Sequence, residues 1–284
     1  MYAVPMASET GPRGAADRRA FLEAKREEIH ARGLRSYPVS SADEVREVLA
    51  FERLFDALDG PIPIKHPFFD LRLELGKVLG PRISYLIAIG DYELGDLELL
   101  DRHVKKGDRV IELGGGAGLT AAFNAKRTGQ PVVVAEPDER LFAVIRRQVE
   151  LNGGAVSFEH GVVLGGTNAK TVDFFIDEEI WFSSMKKEVE AHGLERERRK
   201  VTVPVLDAGA LFAKHAPSVA MIDIEGAERD LFATKIANAP KKLLVEIHSP
   251  HYGDTVAAQT IQAIVDQGYK LVDQGGWTFV FERT

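Results

Sequence analysis

The chain has 284 residues, of which 45% are hydrophobic and 28% are charged, a balance that is typical of a globular protein and excludes a disordered or fibrous chain. No stretch reaches the roughly 18 apolar residues that a membrane span requires, and residues 1–16 lack the apolar core of a secretory signal. The absence of cysteine excludes disulfides and thiolate metal sites, and the net charge of -7 disfavours a nucleic-acid partner. We therefore predict a soluble, cytoplasmic protein that binds neither membranes nor nucleic acid.

Residues 1–90 are predicted to form an N-terminal, mostly helical extension with short strands. Apolar residues recur at helical spacing over residues 45–58, and Gly60-Pro61 ends that helix. Two apolar runs of strand length follow at residues 69–75 and 83–89. The apolar face of the helix must be covered, either by the main domain or by a second copy of the chain, so a homo-oligomer is one expectation.

Residues 91–284 alternate between strand and helix patterns, which predicts an α/β domain with a mostly parallel sheet and helices on both faces. The last two strand-like runs, 270–272 and 278–281, are predicted to pair antiparallel across Gly275-Gly276. The densely charged segment 186–200 interrupts the pattern. It is either a solvated helix or a mobile lid over a substrate pocket, and the sequence does not separate the two.

A glycine-rich loop, residues 114–118, follows the predicted strand 109–113, and the next strand, 132–136, ends in Glu136. Glycines adopt backbone angles that a Cβ forbids and let a ligand lie directly on the main chain. The amides at the start of the following helix offer further donors. A carboxylate at the end of the next strand can accept both hydroxyls of a ribose. The pattern predicts a site for a nucleoside cofactor.

Two cofactors compete for this loop. The spacing Gly116-x-Gly118-x-x-Ala121, with Glu136 about 20 residues on, matches a dinucleotide fingerprint and would suit NAD. S-adenosylmethionine instead carries a cationic sulfonium and an ammonium group, which favour a nearby carboxylate such as Glu112. Because that charge would oppose a pyrophosphate, we favour S-adenosylmethionine, with an NAD-dependent oxidoreductase as the alternative.

A second acidic cluster follows two later strands. Residues 222–228 read Ile-Asp-Ile-Glu-Gly-Ala-Glu, and the next strand ends in Glu246-Ile247-His248, with His251 shortly after. In an open α/β sheet the carboxyl ends of the strands form the ligand crevice. Asp223, Glu225, His248 and His251 are therefore expected to converge.

Residues 222–228 resemble the Asp-Val-Glu-Gly-Ala-Glu signature of the FkbM family of S-adenosylmethionine-dependent methyltransferases. Tyr92-Glu93, Glu136-Pro137 and residues 245–248 support the resemblance, which covers roughly residue 91 to the end of the chain. It implies a class I methyltransferase (Rossmann-like) fold with a seven-strand sheet, and O-methylation of a hydroxyl on a sugar or small secondary metabolite. The residues then expected to hold the cofactor are Tyr92, Glu93, Glu112, Gly114, Gly116, Glu136 and Pro137.

Methyl transfer to an alcohol requires alignment of the acceptor with the methyl group and removal of the hydroxyl proton. We predict His248 as the base and Asp223 as a positioning residue, roles that could be reversed, with Glu225 also facing the acceptor. Glu246, His248, His251 and Asp223 carry enough donors for a divalent ion. Because His251 lies beyond Pro250, we predict no metal. A catalytically silent, methyltransferase-like module that binds a partner through its N-terminal helix is a further alternative.

Overall fold

The computed structural model describes residues 60–186 and 198–283, without the side chains of Pro250 and His251. The chain divides into two compact units, Met1–Leu94 and Gly95–Thr284. The predicted helix at 45–58 and most of the charged segment, residues 187–197, lie outside the described residues.

The described part of the first unit contains an antiparallel hairpin of β1 (Ile62–Lys65) and β2 (Arg72–Leu75), a 3-10 helix (Lys77–Leu79) and the helix α1 (Gly80–Ile89). The strand predicted at 69–75 is confirmed only in its second half.

The strand predicted at residues 83–89 is wrong, because these residues form the body of α1. Pro81 lies in the first turn of the helix, and Gly90 ends it in the left-handed conformation. Six of the seven residues from Ile83 to Ile89 are buried. An apolar run that is buried on nearly every side carries no periodicity, so its pattern alone does not distinguish a helix from a strand.

The second unit alternates strands and helices as predicted. Its elements, in chain order, are α2 (Leu94–His103), β3 (Val110–Leu113), α3 (Leu119–Thr128), β4 (Val132–Glu136), α4 (Arg140–Leu151), β5 (Val156–His160), β6 (Val162–Leu164), β7 (Thr171–Ile176), β8 (Arg199–Asp207), α5 (Ala208–His215), β9 (Val219–Ile222), α6 (Glu228–Leu231), β10 (Lys242–Glu246), α7 (Ser249–Tyr252), α8 (Asp254–Asp266), β11 (Lys270–Gly275) and β12 (Thr278–Glu282).

Seven of the described strands form the main sheet in the order β11-β12-β10-β9-β3-β4-β5. The strands from β10 to β5 pair in parallel, whereas β12 runs antiparallel between β10 and β11. The predicted antiparallel closing pair is therefore confirmed. From β3 the chain moves outward to β4 and β5 and later returns to β9 on the other side of β3. The order reverses between β3 and β9, which is the point where open α/β sheets bind ligands.

Helices cover both faces of the main sheet. On one face, Ile111 and Ile222 belong to a buried cluster with Phe212 of α5 and Ile264 of α8. On the other face, Glu112 of β3 contacts side chains of α3. The central strands β3 and β9 are buried throughout, which explains why they read as continuous apolar runs in the sequence. This is the seven-strand, mostly parallel sheet of the class I methyltransferase fold.

A smaller sheet of the described strands β6, β8 and β7 lies between β5 and α5 in the chain, with β8 in the middle. Val162, Phe174, Ile176 and Val203 form its own buried cluster. Arg199 and Lys200, which we placed at the end of the charged segment, belong to β8. The end of the charged segment is therefore part of a strand of this second sheet.

Within residues 60–186 and 198–283, every helix is too short or too polar to cross a membrane.

The turn after β3 approaches the turn after β9 so closely that only a glycine fits. Gly114 has φ +87°, and a Cβ added there would lie 1.7 Å from the carbonyl oxygen of Asp223. Gly129, at the end of α3, also has a positive φ (+67°), but nothing lies within 4 Å of its added Cβ. The two glycines thus share a backbone conformation and differ in the space around them.

Gly114→Ala is expected to lower the free energy of unfolding by at least about 3 kcal/mol, because the backbone of one of the two turns must shift. Gly129→Ala is the matched control and should cost only about 1–2 kcal/mol, the strain of a left-handed non-glycine residue. Urea unfolding of both variants measures the difference. Equal losses in the two variants would show that the close approach does not constrain the fold.

Candidate functional site

The glycine loop between β3 and α3 is packed tightly against helix α4. A Cβ at Gly115 would lie 2.5 Å from Cδ1 of Ile145, and one at Gly118 would lie 2.7 Å from Cα of Ile145. Gly116 has a positive φ of 47°. The sequence explained these glycines by a ligand, and the structure adds that close backbone packing inside the protein already requires Gly114 and Gly118.

Glu136, the last residue of β4, holds the glycine loop in place. Its Oε2 accepts a hydrogen bond from the amide of Gly115, and its Oε1 accepts one from the amide of Asp138, each at 2.8 Å. The side chain is 5% exposed, and burial raises its pKa to about 7. Pro137 follows, and its carbonyl oxygen lies 3.2 Å from Nε2 of His160.

Glu112 does not meet the expectation that its charge faces a cofactor. The residue is completely buried, and its carboxylate accepts hydrogen bonds from Thr120 and Asn124 of α3, at 3.2 Å and 2.7 Å. Burial raises its pKa to about 7, so a large fraction of the group is neutral near neutral pH. Contact with a ligand would require Glu112 to give up these internal bonds.

Tyr92 and Glu93 belong to the first unit, directly before α2. Glu93 has a positive φ of 51°. Their contact with a cofactor stays a prediction.

The structure brings the predicted acidic cluster together around His248. Nδ1 of His248 lies 2.9 Å from Oε1 of Glu228, and its Nε2 lies 3.4 Å from Glu225 and 3.5 Å from Asp223. Oε1 of Glu246 is 3.8 Å from the same Nε2. His251 belongs to α7, and its side chain is outside the described part, so its predicted convergence stays a prediction.

The turn after β9 carries an unusual backbone. Glu225 has a φ of 51° and Gly226 a φ of 93°. A left-handed glutamate is strained by an amount of the order of 1–3 kcal/mol, and such strain clusters at functional sites. The strained residue Glu225 lies inside the signature at residues 222–228.

Three members of the cluster were not predicted. Asp96 of α2 accepts a hydrogen bond of 2.5 Å from the hydroxyl of Thr278, and Tyr252 donates one of 3.3 Å to Oε2 of Glu228. The indole of Trp277 lies edge-on to His248, with 6.5 Å between ring centroids. These residues come from separate helices and from the β11–β12 hairpin, so no local sequence pattern marks them.

Burial and the neighbouring charges shift the pKa values of the carboxylates in the cluster. Burial, followed by the charge of Glu225, raises the pKa of Asp223 well above its usual value. Burial, followed by the charge of Asp223, does the same to the pKa of Glu246. Burial alone would raise the pKa of Glu228, but the hydrogen bond and the charge of His248, together with backbone hydrogen bonds, outweigh burial and lower it.

The carboxylates around His248 favour the protonated form of its imidazole. Burial would lower its pKa, but Glu225 and the hydrogen bond with Glu228 outweigh burial and raise the pKa well above 6.5. A protonated imidazole has no lone pair with which to accept a proton. The role of His248 as the general base requires the neutral imidazole and stays a prediction.

Neither a protein-family model nor a curated protein matches the chain. Several solved structures of methyltransferases are similar to it. The ribosomal protein L11 methylase of Lactobacillus delbrueckii subsp. bulgaricus has 11% sequence identity and a TM-score of 0.40, over 69% of this chain and 80% of that one. A methyltransferase from Pyrococcus furiosus has 13% identity and a TM-score of 0.40, over 86% and 99%. A putative SAM-dependent methyltransferase from Streptococcus mutans has 10% identity and a TM-score of 0.48, over 84% and 65%. The fold class rests on the strand order.

The free energy of unfolding of the wild type is expected to fall as the pH rises, and Glu112→Gln is expected to make this fall smaller. Because the pKa of Glu112 is about 7 in the folded chain against an ordinary 4.5, the folded state binds more protons between these values. Stability therefore falls as the pH rises through that window, by up to about 3 kcal/mol. Glutamine keeps the size of the side chain and has no charge to bury.

Urea unfolding at pH 5 and pH 8 measures this effect. The wild type should lose more stability between the two pH values than Glu112→Gln does. Glu139→Gln, at an exposed position, is the matched control and should follow the wild type. Parallel behaviour of Glu112→Gln and the wild type would mean that Glu112 carries no buried charge.

Proposed function

We propose that this chain is an S-adenosylmethionine-dependent methyltransferase that methylates a hydroxyl of a sugar or small secondary metabolite. One observation carries the proposal: where the strand order reverses, the glycine loop after β3 and the acidic turn after β9 lie in backbone contact at Gly114 and Asp223. A cofactor on the loop and an acceptor at the turn would then be neighbours, as transfer between them requires.

The sheet and the charge of the site both favour S-adenosylmethionine over NAD. The doubly wound order of NAD-binding domains is parallel throughout, whereas β12 here runs antiparallel within the sheet. Glu225 on the turn offers a partly exposed carboxylate to a cationic ligand, and a pyrophosphate would be repelled by it. Because Glu112 is buried within the fold, we attribute the preference for a cationic cofactor over a pyrophosphate to this acidic turn instead of to Glu112.

The two halves of the site have separate tasks in the proposed reaction. The loop at Gly114 and Gly116, together with Glu136, would bind the nucleoside part of the cofactor. Asp223, Glu225 and His248 would face the acceptor. The acceptor oxygen attacks the methyl carbon in line, the carbon–sulfur bond breaks with its electrons going to sulfur, and the hydroxyl proton leaves to a nearby base.

The acceptor class and the FkbM relationship are supported by the signature at residues 222–228 and its position at the ligand-binding edge of the sheet. The exclusion of nucleic acid stays a prediction from the net charge of -7.

Calorimetric titration of the purified chain with S-adenosylmethionine, S-adenosylhomocysteine and NAD tests the proposal. We expect both sulfur compounds to bind with Kd values in the micromolar range and NAD not to bind. Glu136→Gln should weaken binding at least tenfold, about 1.4 kcal/mol, because an amide cannot accept two ribose hydroxyls as a carboxylate does. Glu139→Gln, a nearby exposed control, should bind like the wild type.

Binding of NAD alone would overturn the proposal. No binding of any of the three would instead favour the silent, methyltransferase-like module.

A further inference from the structure

We propose that Asp223, Glu246 and His248 form a binding site for one divalent cation. One ligand atom from each of the three residues lies within 4.8 Å of the other two. The pairing of β9 with β10 explains why. Ile222 and Val245 are partners in the parallel register, so Asp223 and Glu246, one residue further on, end neighbouring strands. His248 stands two residues beyond Glu246.

The distances suit a single ion. Nε2 of His248 lies 3.5 Å from Oδ1 of Asp223 and 3.8 Å from Oε1 of Glu246. Two ligands that are each about 2.1 Å from one ion are about 3.0 Å apart when adjacent and about 4.2 Å apart when opposite. Both observed distances fall between these limits, and the ligand atoms of Asp223 and Glu246 lie within 4.8 Å of each other. The set does not need His251, on which the sequence-based expectation of no metal depended.

A buried oxygen in the cluster lacks the partner that a cation would provide. Oδ1 of Asp223 is inaccessible to solvent and accepts no hydrogen bond from any described residue. Buried oxygens are nearly always satisfied, and leaving one unsatisfied costs about 1–3 kcal/mol. This is the same oxygen that lies 3.5 Å from Nε2 of His248.

His248 is held in the manner of a metal ligand. Its Nδ1 lies 2.9 Å from Oε1 of Glu228, and Tyr252 in turn donates a hydrogen bond to Oε2 of Glu228. Metal-binding histidines almost always donate the second ring N–H to such a carboxylate, which fixes the ring and directs the other nitrogen to the ion. Here that other nitrogen, Nε2, is the one nearest to Asp223 and Glu246.

The charge of the cluster also calls for a cation. Among the described residues, five carboxylates contribute to the site with one imidazole, namely Asp96, Asp223, Glu225, Glu228 and Glu246. Buried carboxylates this close to one another are costly to ionise unless a cation compensates their charge. A ligand set that mixes imidazole with carboxylates suits Mn²⁺ or Zn²⁺ better than Mg²⁺ or Ca²⁺, which take oxygen ligands.

The role of the ion rests on the proposed function. With three protein ligands, the ion keeps an open position that can bind the acceptor hydroxyl and lower its pKa. The hydroxyl proton would leave to water. The oxygen–methyl bond then forms as the carbon–sulfur bond breaks, and sulfur takes the electron pair.

Binding of Mn²⁺ to the chelator-treated full chain tests the site. We expect about one Mn²⁺ per chain by calorimetry, and a nitrogen coupling from His248 in the pulsed electron paramagnetic resonance spectrum of the bound ion. Asp223→Asn and Glu246→Gln should each weaken binding at least tenfold. Asp230→Asn, an exposed carboxylate on α6, is the matched control and should keep the wild-type affinity.

Equal affinities of the wild type and both ligand variants, a bound ion without nitrogen coupling, or no Mn²⁺ binding would each overturn the metal site. Because the nitrogen coupling is measured on the wild type, the test does not depend on the folding of a variant. The two proposals also fail separately: cofactor binding without Mn²⁺ binding removes only the metal site, and Mn²⁺ binding without cofactor binding removes only the methyltransferase.

Discussion

The close approach of two backbone turns at the centre of the main sheet governs the site. The amide of Asp223 donates a hydrogen bond to the carbonyl oxygen of Leu113, and the amide of Gly114 donates one to Ala135. These bonds extend the parallel pairing of β3 with β9 and β4 beyond the strand ends. The glycine loop and the acidic turn are therefore fixed to the same rigid edge, and their separation is set by backbone geometry rather than by mobile side chains.

The main sheet was predictable because its strands are buried. Residues such as Ile111 and Ile222 have almost no exposed surface, and a parallel strand with both faces covered can be recognised as a short apolar run between turn residues. The same rule failed for α1, where a helix is buried on nearly every side. The apolar run at residues 83–89 is as short as a strand and has no helical period, so only Pro81 and Gly90 marked the ends of the helix.

The candidate site was predictable in its location and less so in its charges. Residues that follow the strand ends, Asp223 and His248, were expected to meet because parallel strands end at one edge. Asp96 could not be assigned, because it comes from a helix far earlier in the chain. Glu228 lies inside the signature at residues 222–228, but the sequence does not show that it contacts His248. Glu112 shows the reverse error: a carboxylate beside a glycine loop was given a charge, while burial under α3 raises its pKa toward neutrality.

The second sheet has a consequence for the cooperativity of the fold. Its described core has four fully buried side chains, against twenty in the cluster that joins the main sheet to α5 and α8. Each buried apolar side chain contributes roughly 1.5–3 kcal/mol. The small sheet therefore gains much less stability from its own core than the main sheet does. Because Val163 of β6 and Leu206 of β8 also pack on the main cluster, opening is expected to begin at β7, whose amide hydrogens should exchange with solvent sooner than those of β3 and β9.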